Sequence, residues 1–400
     1  MELFAGSLLT GKQITDWFFG ATARPRARRG ADCESAPREE RGSTTRGARK
    51  HHERSESALR EERVGTARGA RKHRERSESA SRDISKNDKK YMSNNKITDI
   101  KNNIKKRFVG KDSVINNVLI ALLAGGHVLI EDVPGVGKTT FAKALARSVD
   151  AGFSRIQFTP DTLPTDITGT TIYDAGKAEF RVVKGPVHNE IILADEINRT
   201  PPKTQSALLE AMEEKQVTID GTTYPLPELF MVIATQNPVE HIGTYTLPEA
   251  ELDRFMMKLS IGYPNDEMQM EMAKGFLDGV YLEELSPVAA AADILMLREE
   301  VKKVTMTDEI IRYALNIVDS SRKNDNLEYG LSPRAGLDLL AAARAAAFVA
   351  GRDFVIPEDV ITMAKVTLPH RLVLTTQSKM NRYTTDQIIT DIVEKVKRPK

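Results

Sequence analysis

An α/β core built on a parallel sheet, followed by an all-helical domain, is the fold that three features of the sequence predict. The apolar run His127–Ile130 leads directly into a glycine-containing loop and then an amphipathic stretch. Two more apolar runs, Ile191–Ala194 and Phe230–Thr235, close on carboxylates and on an amide. Beyond Pro264 the hydrophobic spacing becomes helical. Short continuous apolar runs suit strands buried on both faces, as in parallel sheets flanked by helices.

The 400 residues are 40% hydrophobic and 28% charged, which excludes a fibrous or wholly disordered chain. The longest apolar stretch, Val118–Ile130, is interrupted by Gly125, Gly126 and His127 and falls short of the ~20 residues a membrane helix needs, so no membrane span is expected. Residues 1–20 carry Glu2 and no basic cluster ahead of their apolar positions, unlike a secretory signal, and a cytoplasmic location is the expectation. The single cysteine, Cys33, excludes an internal disulfide or a cysteine-rich zinc site.

Charge divides the chain. Residues 1–90 hold 22 Lys and Arg against 14 Asp and Glu, a balance of +8, and the remainder sums to −6. Within the basic segment Arg46–Ala58 returns nearly unchanged as Arg68–Ala80, 22 residues later. Repeats this poor in Leu, Ile, Val and Phe cannot bury a core, so 1–91 is expected to be a disordered, basic low-complexity tail. Near-identical copies also fit DNA translated from too early a start, with Met92 as the true initiator. His51, His52 and His73 lie in the repeats and are incidental rather than metal ligands. The core is then expected over 92–264 and the helical domain over 265–400.

From Ile97 the elements follow in order. Asp112–Leu123 has helical spacing, His127–Ile130 is a strand, Glu131–Thr140 a loop and Phe141–Val149 a helix. Strand, glycine-rich loop, Lys-Thr and helix form the P-loop context, whose ligand is a nucleotide triphosphate. Pro134, Gly135, Val136, Gly137, Lys138, Thr139 and Thr140 supply the ATP cradle. The glycines let backbone amides approach phosphate oxygens, Lys138 reaches the outer phosphates, and the Thr139 hydroxyl is a ligand for Mg2+. Asp132 stands where the loop pattern has its first glycine, and Asp tolerates left-handed backbone better than most residues.

Glu190–Glu196 is an apolar strand ending in two carboxylates, of which Asp195 is placed to hold Mg2+ and Glu196 to orient the attacking water. The strand Phe230–Thr235 ends in Gln236-Asn237-Pro238, an amide at a strand C-terminus, where ligands of parallel sheets bind. Two hairpins are legible. Thr170–Tyr173 pairs with Ala178–Val183 across a glycine-containing turn, and Gln216–Ile219 pairs with Thr222–Tyr224 across Asp220-Gly221. Helices are predicted over Asp266–Leu277, Ala290–Lys303, Asp308–Arg322, Pro333–Ala350, Pro357–Lys365 and Thr385–Lys397.

Residues 97–400 resemble the AAA+ ATPases of the MoxR group. The resemblance rests on Glu131–Thr139, Gln157–Gly169, Ala194–Arg199, Ala234–Pro238, Thr246–Phe255 and Leu331–Ala335, and Asp132 is tolerated among members. It implies that Asn237 is the sensor aligning water with the γ-phosphate and that Arg254 is an arginine finger offered to a neighbour's site. It also implies that Arg334 is the sensor of the lid, acting on its own nucleotide or on the next subunit's. Taken without the neighbouring motifs, Arg254 reads as a surface ion-pairing residue and Arg334 as an ordinary first-turn arginine.

The resemblance further implies a homo-oligomeric ring, a hexamer, with the hairpins directed at its central pore. ATP hydrolysis in it drives a conformational change in a partner protein, often one with a von Willebrand A domain, during maturation of an enzyme complex. Two alternatives share these parts: the ATPase subunit of a metal chelatase, and a nucleic-acid motor. The net charge of the core and the mixed signs of the first hairpin disfavour nucleic acid, whose phosphates call for a basic stripe. A chain beginning at Met92 is expected to keep the ATPase rate and melting temperature of the full chain. A drop of several degrees on truncation would show instead that the tail packs on the core.

Overall fold

The computed structural model describes residues 95–237, 245–279 and 285–399. The tail predicted over 1–91, with its repeats and histidines, lies outside the described residues.

The first helix, α1 (95–105), buries Ile97, Ile100 and Ile104. It is followed by α2 (Asp112–Ala124), β1 (Val128–Glu131), α3 (Lys138–Ser148), β2 (Phe153–Gln157) and the short α4 (Pro164–Thr168). A hairpin, β3 (Gly169–Asp174) and β4 (Glu179–Lys184), leads to β5 (Ile191–Asp195) and α5 (Pro202–Glu214). A second hairpin, β6 (Gln216–Ile219) and β7 (Thr222–Pro225), precedes β8 (Met231–Gln236), the single turn α6 (Glu249–Leu252) and β9 (Met257–Leu259). Strands β2, β5, β8, β1 and β9 pair in that order into one five-stranded sheet, every pair parallel.

The period-two alternation of strand side chains sorts the apolar runs onto the two faces. Val128, Ile130, Ile191, Leu193, Met231 and Ile233 join one layer, with α2 and α3. Leu129, Ile192, Ala194, Val232 and Ala234 join the other, with Leu208, Leu209 and Met212 of α5. Both faces are covered, which is why these strands read as unbroken apolar runs rather than alternating ones.

The lid comprises α7 (Asp266–Leu277), α8 (Ala291–Lys302), α9 (Asp308–Arg322), α10 (Pro333–Val349), α11 (Pro357–Thr367), α12 (Thr376–Met380) and α13 (Thr385–Lys395). Between them run β10 (Leu327–Tyr329) and β11 (Val373–Leu374), an antiparallel ladder that the helical spacing did not register. Capping sets the helix starts: the Asn265, Thr307, Ser332 and Thr384 side chains accept from backbone amides of the first turn of α7, α9, α10 and α13. Such a cap contributes about 1 kcal/mol. The lid shares the apolar layer of α2. Arg298 of α8 ties the two by donating to the Leu122 carbonyl at the end of α2 (2.9 Å).

Both hairpins form with the predicted pairing. At the neck of the first, a Cβ on Gly169 would lie 2.3 Å from the Val183 carbonyl, and one on Gly185 2.2 Å from that of Ile167. The strands therefore enter and leave through a gap that admits only glycine. Further out, Tyr173 and Phe180 stack edge to face at 5.2 Å while remaining 56% and 76% exposed.

Two buried histidines give the fold a pH dependence. The Val232 amide donates to His127 Nδ1 (2.9 Å), and burial lowers the His127 pKa from 6.5 to about 4 against an opposing hydrogen bond to the Met212 backbone. Burial, reinforced by the Arg371 charge, lowers His370 to about 3. Both are neutral when folded but titrate near the ordinary imidazole value of 6.5 when unfolded. The unfolded chain therefore binds more protons below that pH. This stabilisation is complete above about pH 6.5 and is lost as pH falls through the folded values, at roughly 1.4 kcal/mol per unit for each group. His127→Gln is expected to flatten the fall in unfolding midpoint between about pH 6.5 and 5. An unchanged slope in that variant would remove His127 from the account.

Candidate active site

Parallel register brings the predicted chemistry to one edge of the sheet. Gln157 pairs with Asp195, Ala194 with Ala234, and Ile130 with Thr235, so β2, β5, β8 and β1 end at the same level. The P-loop leaves β1 at this level, Asp195 and Glu196 end β5, and buried Asn237 follows β8. Asn198 Nδ2 donates to the Asn237 carbonyl (3.4 Å). The segment just beyond Asn237, 238–244, lies outside the described residues.

In the loop, Pro134 and Gly135 are exposed, and Gly135 and Gly137 have φ of +87° and +89°. Gly137 caps α3, which places the Lys138, Thr139 and Thr140 amides in the first turn, where a helix end attracts anions. The loop rests on Phe108, which meets Phe141 of α3 edge-on at 4.9 Å. Lys138 Nζ donates to the Asp132 carbonyl (2.5 Å). Burial lowers the Lys138 pKa, against the opposing charges of Asp132, Asp195 and Glu196, so lysine and carboxylates share one electrostatic neighbourhood.

Each carboxylate is held. Asp195 Oδ1 accepts from Thr235 Oγ1 (2.7 Å), while Arg155 Nη2 and Nε donate to its Oδ2 (2.7 and 3.1 Å). Glu196 has φ of +58°, and its amide donates to Thr235 Oγ1 (2.9 Å). Its Oε2 accepts from Gln157 Nε2 (2.8 Å) and Arg199 Nη1 (3.0 Å). Thr235 thus spaces the two acids. A threonine hydroxyl and one carboxylate are hard oxygen donors, few in number, which suits Mg2+, an ion that takes its other ligands from water and phosphate. Among the described residues no group of three or more His, Cys, Asp or Glu forms an all-protein cage.

Asp132 corrects one sequence-based expectation. It is absent from the residues of positive φ, so no left-handed turn is needed at this position. Its side chain has another task. Asp132 Oδ2 accepts from the Ile261 and Gly262 amides (2.6 and 2.8 Å) and from Ser260 Oγ (3.2 Å), binding the P-loop to the strand exit that leads into the lid. Next to it, burial pushes the Glu131 carboxyl upward, but Lys258 and Gln236 prevail and hold it below the usual range.

Behind the P-loop lies a cavity of about 480 Å³, lined by Phe108, Val109, Val136, Thr140, Met272 and Phe276 among others. Its apolar walls beside the phosphate cradle suit a flat heteroaromatic base. The one sequence signal for this site is the Phe108-Val109 pair between two helices. Arg155, Gln157 and Thr235 carry no such signal as partners of the acids, because their role depends on register alone.

Arg254 and Arg334 lie elsewhere. Val128 pairs with Met257, and the Met256 amide donates to the His127 carbonyl (2.9 Å), so Arg254 sits beside the start of β1, the edge opposite its P-loop. Arg334 Nη1 donates to Glu213 Oε2 (2.5 Å), and Arg254 Nε is 3.8 Å from the same oxygen. The two arginines are together, but away from the nucleotide cradle of their own chain.

Residues 127–257 match the family described as the ATPase family associated with various cellular activities (AAA), and residues 319–392 match the AAA lid domain. Among curated proteins, the chain is 49% identical over 296 residues to the uncharacterized protein YeaC of Bacillus subtilis, covering 74% of this chain and 92% of that one. It is 44% identical to Chaperone MoxR1 of Mycobacterium tuberculosis, over 74% and 80% of the two chains. To Protein MoxR of Methylorubrum extorquens it is 32% identical, over 73% and 91%. A solved structure of a Cytophaga hutchinsonii protein assigned as an ATPase superposes with a TM-score of 0.75 at 42% identity, covering 79% of this chain and 99% of that one.

Asp132→Gly, which restores the usual loop glycine, is expected to destabilise the protein by about 2–4 kcal/mol, because two backbone amides and a hydroxyl lose an ionised acceptor. Chemical denaturation measures the loss. An unchanged midpoint would show that the tie contributes nothing.

Proposed function

The chain belongs to the MoxR group of AAA+ ATPases, and on that premise we propose that it hydrolyses ATP at sites shared between subunits of a homo-oligomeric ring, a hexamer, to remodel or activate a partner protein. The observation that carries this reading is the placement of Arg254 and Arg334 at the sheet edge opposite their own P-loop. From Val128 to Glu131 the strand alone spans roughly 10 Å, and the loop adds more. Two guanidinium groups gathered at the far edge fit a γ-phosphate presented by a neighbouring subunit. Because Arg334 shares Glu213 with Arg254, this reading assigns both arginines a role in trans.

In this reading Lys138 and the amides of the first turn of α3 hold the outer phosphates, and Pro134–Thr140 form the cradle. Thr139 and Asp195 are the residues that would hold Mg2+, which supplies positive charge opposite the phosphates. Glu196 takes the proton of the attacking water once Gln157 and Arg199 release it, and Asn237 aligns that water. The β3–β4 hairpin supports a protein partner over nucleic acid. It exposes the Tyr173–Phe180 pair, and its charges are of mixed sign rather than a basic stripe, with Arg181 Nε 3.7 Å from Asp174. A partner with a von Willebrand A domain in the cytoplasm is the fitting client. Among the described residues no helix is long and apolar enough to cross a membrane.

Lys138→Ala is expected to abolish ATP binding, whereas Glu196→Gln should bind ATP and lose turnover. Arg254→Ala should bind ATP, assemble, and lose about 10³-fold in rate. Mixing equal amounts of the Glu196→Gln and Arg254→Ala proteins with subunit exchange should rebuild complete sites at about a quarter of the interfaces of a head-to-tail ring. If mixed rings form and stay inactive, the shared-site reading is wrong.

A further inference from the structure

We propose that Arg371 of the lid is a positioning residue for the Arg254 finger, which it aims by holding the two residues that flank it, through the Asp253 carboxylate and the Phe255 carbonyl. The inference rests on the reading of Arg254 as a group acting in trans.

The side chain of Arg371 is 1% exposed, although it belongs to a short turn after α11 rather than to a helix interior. A buried guanidinium persists only where acceptors replace water. Here they come from two directions. Nη2 donates to the Phe255 carbonyl (2.8 Å) and to Asp338 Oδ2 of α10 (2.5 Å). Nη1 lies 3.2 Å from Asp253 Oδ1, an ion pair made without hydrogen-bond geometry. The residues immediately before and after Arg254 are thus both tied to one guanidinium, and α10 anchors that guanidinium from behind.

Two further contacts act on the same three-residue segment. Ser332 Oγ donates to the Asp253 carboxylate (3.1 Å to each oxygen). His370 Nε2 lies 2.8 Å from the Phe255 carbonyl and 3.4 Å from Arg371 Nε, and burial keeps the ring neutral. Ser332 is also the cap of α10, two residues before Arg334. One cluster of lid residues therefore holds the neighbours of Arg254 on both sides and caps the helix that carries Arg334. Only a planar fork with several donors bridges a carbonyl and two carboxylates in this way; a lysine ammonium in the same place keeps the charge but loses the geometry.

The test uses the full chain with Arg371→Lys and Arg371→Met. Each variant is expected to bind ATP within about threefold of wild type and to lose at least tenfold in kcat. Mixing either with Glu196→Gln should restore activity, since that partner supplies an intact Arg254 held by its own Arg371. Mixing with Arg254→Ala should restore nothing, because both lesions then lie on the finger side. A purely structural role within one subunit predicts no recovery with Glu196→Gln, and that result overturns the proposal, as does wild-type kcat in both variants. If neither variant assembles, Arg371 is a folding residue and the proposal also fails. The Arg254→Ala and Glu196→Gln mixture run in parallel separates the two levels. Its failure removes the trans reading and this inference with it, whereas its success beside an unrecovered Arg371 variant removes this inference alone.

Discussion

The parallel register of the sheet is the constraint on which the rest of the molecule depends. Because Gln157, Asp195, Thr235 and Ile130 stand at one level, the acids, the residues that hold them and the mouth of the P-loop meet without any of them being near in sequence. A slip of one residue in β8 would turn Thr235 away from both Asp195 and Glu196, since successive strand side chains face opposite sides. The same shift would carry Val232 off His127 Nδ1 and expose apolar atoms on both faces. Stability and chemistry are therefore enforced by one set of pairings.

The lid completes what the sheet begins. The apolar layer of α2 continues into α8, α10, α11 and α13, so lid and core share one hydrophobic cluster. Polar ties reinforce it at both ends of the sheet. Asp132 joins the P-loop to the exit of β9, and Arg371 joins Asp253 and Phe255, the neighbours of Arg254, to α10. A disturbance at the phosphate cradle thus has a short covalent and hydrogen-bonded route, along β9, to the opposite edge.

Local signals made most of this architecture legible in the sequence. The apolar runs announced β1, β5 and β8, Asp-Gly announced the second hairpin, and capping residues fixed the starts of α7, α9, α10 and α13. What stayed hidden had no local signal. β2 carries Ser154, Arg155 and Gln157 on an edge strand, and β9 is three residues long. The acids and the loop could be read as motifs, whereas the salt bridge of Arg155, the anchoring of Arg371 and the shared carboxylate of Glu213 arise from pairings between 33 and 121 residues apart. The unusual Asp132 was visible, but its purpose lay 128 to 130 residues downstream.

The glycine neck of the first hairpin has a consequence for how this protein and its relatives can vary. From Gly169 opposite Lys184 to Asp174 opposite Glu179 the ladder is regular, and it separates the turn at its tip from the neck. Residues added two at a time at the tip, one to each strand, would preserve every pairing below them. Length and tip chemistry are therefore open to evolutionary drift, while Gly169 and Gly185 keep the direction of the arm constant. Sequence and length differences among related chains should accordingly be concentrated at the tip rather than at its base.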